Sequence, residues 1–102
     1  MTVMEIRDMI AEADPTANHY YSEDTTRDYT TWQEYSRLPM SADDRTDKGW
    51  NVQIDRYTRQ EFDPIADELE RVMDERLLSY THQVEFDPET RVIRHIFDVE
   101  AL

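Results

Sequence analysis

The chain has 102 residues, with 11 Lys and Arg against 24 Asp and Glu and a net charge of −13 at neutral pH. That length fits one domain with one core, able to bury roughly two thirds of the surface its unfolded chain exposes. The charge argues against direct nucleic-acid binding, which needs clustered Lys and Arg to displace counterions from phosphates, and against docking on anionic membranes.

In chain order, Thr2 and Glu5 have the spacing of a capping box. Val3, Ile6, Met9, Ile10 and Ala13 follow on one stripe, which predicts a first helix stopped at Asp14-Pro15. From Asn18 to Ser36 the residues read as extended, with aromatic and β-branched side chains on either side of a polar link from Glu23 to Asp28. Two strands in a hairpin are expected there, with Tyr20-Tyr21 open to a loop instead. In the second strand Thr30, Trp32 and Glu34 alternate with Tyr29, Thr31, Gln33 and Tyr35. Neither set is strongly apolar, so this strand is expected at a sheet edge or a subunit contact. Leu38 to Lys48, with Pro39, Ser41, Asp43, Asp44 and Asp47, reads as the longest loop.

Trp50, Val52 and Ile54 face one way and Asn51, Gln53 and Asp55 the other, the period of a half-buried strand. Asp63 is an N-cap with Pro64 at the first helical position, where its missing N–H costs nothing. Asp67, Glu68 and Glu70 complement the positive end of the helix dipole. Ile65, Leu69, Val72, Met73 and Leu77 make the stripe of a second helix from Pro64 to Leu77. Two strands then flank the turn Asp87-Pro88-Glu89-Thr90. Pairing Asp87 with Thr90 sets Phe86 opposite Arg91, Val84 opposite Ile93, His82 opposite His95 and Tyr80 opposite Phe97. The predicted fold is a single α+β domain over residues 1–102, in the order α-β-β-β-α-β-β. Two helices pack on one face of a mainly antiparallel sheet of four to five strands.

The residues that carry chemistry are sparse. There is no Cys, which excludes disulfides and thiolate chemistry, and the single glycine, Gly49, excludes Gly-rich phosphate loops. The N-terminus has no long apolar run, so a soluble protein made in the cytoplasm is expected. His82 and His95 could offer two imidazoles to zinc, but the candidate third ligands Glu85 and Asp98 point to the opposite face of their strands. No metal or cofactor is expected. Ser22, Ser36, Ser41 and Ser79 lack a strand–turn–helix elbow, and no pair of carboxylates stands in contrasting environments, so no catalytic residues and no enzyme are expected. The loop acids Asp43, Asp44 and Asp47 have three readings: a solvated loop, a negative projection toward a partner or lumen, or mimicry of DNA phosphates. Ten of the eleven basic residues are Arg, which suits either a GC-rich genome or interface ion pairs.

The order and texture of the chain resemble the small tail-terminator (tail-completion) proteins of long-tailed bacteriophages. The residues that carry the resemblance are the strand Tyr29-Thr30-Thr31-Trp32-Gln33-Glu34-Tyr35, the Pro39 loop with its acids, the strand Val52 to Thr58, the helix Pro64 to Leu77 and the closing hairpin. Relatives often place a Gly after the second helix, where this chain has Arg76-Leu77-Leu78-Ser79. The resemblance implies a structural virion protein at the head–tail joint, assembled in the host cytoplasm. It implies a ring, usually a hexamer, that caps the tail tube and receives the head completion or connector protein. Within that expectation Trp32 and Tyr35 are the candidate subunit interface, and Asp43, Asp44 and Asp47 the candidate lumen or partner loop. The alternative is an acidic inhibitor that mimics nucleic acid, such as a counter-defence protein.

Overall fold

The computed structural model describes residues 1–39 and 48–102. Helix α1 (Val3–Ala13) starts where the capping box predicts: Thr2 N–H donates to Glu5 Oε1 at 3.0 Å and Glu5 N–H to Thr2 Oγ1 at 3.2 Å. It buries Ile6, Met9, Ile10 and Ala13. Strands β1 (Asn18–His19), β2 (Tyr29–Pro39) and β3 (Lys48–Thr58) follow, then α2 (Pro64–Glu75), β4 (Tyr80–Asp87) and β5 (Val92–Ala101). The five strands form one sheet in the order β1-β2-β3-β5-β4, antiparallel except for the β1–β2 pair.

Both helices lie on one face. Val52 and Ile54 of β3 and Phe97, Val99 and Ala101 of β5 share a core with the α1 stripe and with Leu69, Val72 and Met73 of α2. The alternate residues Gln53, Asp55, Tyr57, Arg94 and Asp98 therefore point to a face that carries no helix among the described residues. Pairing of β2 with β3 shifts register between Glu34 and Ser36, so Tyr35 is a β-bulge. Before it the even-numbered residues of β2 face the helices. Beyond it Arg37 pairs with Trp50 and takes that side, its guanidinium 4.0 Å over the Trp50 ring.

Three expectations are corrected. The strand around His19 and Tyr20 does not form a hairpin with β2. It is two residues long and parallel, Asn18 opposite Thr31 and His19 opposite Trp32. Tyr20 turns the chain at φ 73°, and the link is folded on Asp24, whose Oδ1 accepts from Thr26 N–H at 3.0 Å. In the last hairpin Phe86 opposes Ile93, Val84 opposes His95, His82 opposes Phe97 and Tyr80 opposes Val99. The turn takes four residues rather than two: Arg91, in the left-handed region at φ 61°, donates its N–H to Asp87 O at 2.7 Å. A slip of two leaves every side chain on its predicted face, because the strand period is two. Finally, Leu38, Pro39 and Lys48, expected within the longest loop, belong to strands.

At the end of α2, Leu77 N–H bonds to Asp74 O (3.0 Å) and Leu78 N–H to Met73 O (3.1 Å), the Schellman pattern of helix termination. Leu77 occupies the left-handed position at φ 56°, where Gly is the usual residue, and its side chain is 90% exposed.

Candidate functional site

β3 keeps its period past Ile54, so Arg56 and Thr58 fall in phase with the core. Arg56 is 3% exposed. Its Nε donates to Asp63 Oδ2 at 2.7 Å and its Nη1 to Thr30 Oγ1 at 3.3 Å; Asp14 lies 3.6 Å away and Asp28 at 4.0 Å. Each carboxylate also has a local task. Asp63 caps α2, accepting from Ile65 and Ala66 N–H, and Asp14 accepts from Thr16 N–H and Oγ1 just after α1. Asp28 accepts from Thr58 Oγ1, Arg59 N–H and Gln60 Nε2. One buried guanidinium thus ties both helix termini and the start of β2 to the middle of the sheet. Burial pushes the Asp14 carboxyl up, but the Thr16 bonds and the Arg56 charge hold it below the usual range. For Asp28 burial acts the same way and is outweighed by Gln60, Thr58 and Arg59 N–H, then by Arg56.

His82 and His95 meet diagonally across β4 and β5, with His82 Nε2 3.0 Å from His95 Nδ1. Glu70 Oε1 of α2 stands 2.6 Å from His82 Nδ1. A neutral His82 bonded to Glu70 carries its proton on Nδ1, so its Nε2 accepts from His95 Nδ1–H and the His95 Nε2 is left as an acceptor. That nitrogen is buried and has no partner. Burial first, then the His82 charge, lowers the pKa of His95. The described residues contain no cluster of three His, Cys, Asp or Glu side chains able to hold a metal ion. The arrangement is a hydrogen-bonded chain joining α2 to the sheet.

The uncovered sheet face is polar and internally paired. Tyr35 stands on it at the bulge, 50% exposed, its hydroxyl donating to Asp98 Oδ1 at 2.8 Å. The Asp98 bond, with burial second, raises the Tyr35 pKa. Arg94 Nη2 lies 3.1 Å from Asp55 Oδ1, Gln53 Nε2 bonds to both Asp55 oxygens, and the rings of Tyr29 and Tyr57 stack at 4.5 Å. A face with its charges paired and its aromatic rings fixed is organised before any partner arrives.

Trp32 does not belong to this surface, which corrects its reading as an interface residue. It is 5% exposed, pairs with Ile54 on the helix side and lies under the ring of His19 at 3.9 Å. The alternation of β2 shows no apolar face because its helix-side neighbours are Thr30 and Glu34; the apolar surroundings come from β3 and α1. Asp43, Asp44 and Asp47 lie outside the described residues. Sequence reasoning missed Arg56 and Glu70. Extending the Trp50, Val52, Ile54 period by one step would have found Arg56, a buried charge in need of partners. In sequence Glu70 counts only as a complement to the helix dipole, and its meeting with His82 depends on how α2 packs on the sheet. No protein-family model matches this sequence, and none of the curated proteins compared with it matches either.

Proposed function

We propose that this chain is a structural subunit of a phage tail, similar to tail terminators. Copies form a ring, expected to be a hexamer, that caps the tail tube and meets the head completion or connector protein. The observation that carries the reading is the uncovered face. Both helices occupy one side of the sheet, and the other side presents Tyr29, Tyr35 and Tyr57 in a pre-paired polar network. Aromatic rings with limited rotamer freedom are enriched at protein interfaces. Such a face, set against a different patch of the next copy, gives the head-to-tail contact from which closed rings are built.

A second feature supports it. The β2–β3 ladder continues to Pro39 opposite Lys48, whereas the last rung between β3 and β5 is Trp50 opposite Ala101. The pair therefore runs on as an arm past the end of β5, on a molecule 48 × 25 × 22 Å. In this reading Asp43, Asp44 and Asp47, between those two strands in sequence, repel DNA passing through the ring. Size-exclusion chromatography with light scattering, at high concentration and with tail-tube protein added, tests it. A ring-sized mass is expected; a monomer under both conditions refutes the proposal. Salt-sensitive displacement of nucleic acid from a basic enzyme would instead favour the acidic mimic.

A further inference from the structure

At the end of the sheet where β2 and β5 begin and β3 and β4 finish there is a cleft of about 290 Å³. The stacked Tyr29 and Tyr57 rings form one wall, with the Arg94 guanidinium 5.5 Å over Tyr57. Glu85 and Asp87 of β4 border the other side of the cleft, while Phe86 between them shares the helix face with Ile93 and Thr58. Arg27, Arg59 and Arg94 all line it, a concentration of positive charge in a chain of net charge −13.

The lining also holds three carboxylates, and all of them are engaged. Asp28 accepts from Thr58, Arg59 N–H and Gln60; Asp87 accepts from Glu89 N–H in the turn; Glu85 lies 3.6 Å from Arg94. Arg94 is held by Asp55, and Arg27 by Asp24. The Arg59 guanidinium is the exception, with no ion pair among the described residues, although its backbone is anchored on Asp28. The cleft therefore offers one flat aromatic wall and one uncommitted guanidinium. The complementary group is an aromatic ring with a carboxylate close to it.

The position of the cleft points to a peptide as the source of that group. Glu85, Phe86 and Asp87 line it, and they belong to β4, the outermost strand of the sheet. The outward N–H and C=O groups of an edge strand pair readily with another extended chain. We infer that this cleft and the adjoining edge of β4 dock an extended segment of a partner protein, in which an aromatic side chain is followed two residues later, on the same face, by an acidic one. The ring packs on the tyrosine pair, the carboxylate meets Arg59, and the backbone adds to β4. The site uses Tyr29 and Tyr57 of the face proposed above as a subunit contact, so it is open in a copy whose face is not covered by the next one.

The test is an amide NMR titration of the full chain with a capped four-residue peptide: threonine, phenylalanine, threonine, glutamate. Shifts are expected at Tyr29, Tyr57 and Glu85 to Asp87. Replacing the probe's glutamate by glutamine weakens binding about tenfold, the loss of one charge-assisted hydrogen bond. Arg59→Ala, at an exposed position, leaves the spectrum of the free protein folded, weakens the glutamate probe to the same extent, and no longer distinguishes glutamate from glutamine. Shifts confined to other surfaces overturn the inference, as does absence of binding at millimolar probe. So does an Arg59→Ala protein that keeps the glutamate preference.

Discussion

Replacing Arg56 by Met leaves Asp14 and Asp63 buried without their counter-ion, since both are at most 3% exposed and both face the guanidinium. Breaking a buried ion pair from one side costs about 3–5 kcal/mol, because the remaining charge is neither hydrated nor paired. Asp28 is partly solvated and adds less. Folding free energies of domains this size are about 5–15 kcal/mol, so the variant is expected to lose a large share of its stability. Urea unfolding followed by Trp fluorescence measures it, since Trp32 is in the core and Trp50 packs against it. The pH dependence identifies the cause. In the wild type, Asp14 and Asp28 have lowered pKa values, so their contribution is present above the unfolded value of 3.8 and is lost as pH falls through the folded values. In the variant the uncompensated acids are pushed up instead, so its folded state binds more protons than its unfolded state and gains stability as pH falls from 7 toward 4. The gap between the two proteins therefore narrows in acid. Adding Asp14→Asn and Asp63→Asn to Arg56→Met should recover most of the loss, because Asn still caps α2. A single variant within about 1 kcal/mol of wild type, or a triple variant no better than the single, would refute the reasoning.

Leu77→Gly should raise stability by about 1 kcal/mol, since it relieves a left-handed non-Gly residue and removes an exposed side chain; thermal unfolding checks it. Trp32→Ala should cost about 3–5 kcal/mol in urea unfolding, as expected of a core aromatic. Tyr35→Phe should cost about 1 kcal/mol or less and show its effect, if the ring reading holds, in the mass of the assembly. His95 has a lowered pKa, so its contribution is full above the unfolded value of 6.5 and declines as pH falls through the folded value. Urea midpoints at pH 7.5 and 5.5 should differ in the wild type, and less so in His95→Gln.

How far the fold is legible in the sequence depends on whether a decision is local. The capping box at Thr2 and the cap at Asp63 are settled within four residues, and both appear as read. The alternation of Trp50, Val52 and Ile54 is likewise local. The parallel direction of β1 is not: it depends on the path of the link around Asp24, and aromatic content reports only that a segment is extended. The register of the last hairpin turns on the length of its turn, which is set by Arg91 in a left-handed backbone that its residue type does not advertise. Trp32 shows the wider limit. A strand flanked by Thr30 and Glu34 looks like a surface, and its burial is decided by Ile54 and His19, neither of them adjacent in sequence.

The bulge at Tyr35 has a meaning for how this chain can change. It divides the β2–β3 pair into two reading frames: on the body side the even residues of β2 face the core, and on the arm side Arg37 does. Removing Tyr35 would join Glu34 to Ser36, keep the rungs Glu34–Val52, Ser36–Asn51 and Arg37–Trp50, and restore a single alternation, whereas removing any regular residue of the strand would turn one side over. Tyr35 is therefore the one position of β2 where length can change without moving a side chain to the other face, so a lineage can gain or lose it while body and arm stay as they are.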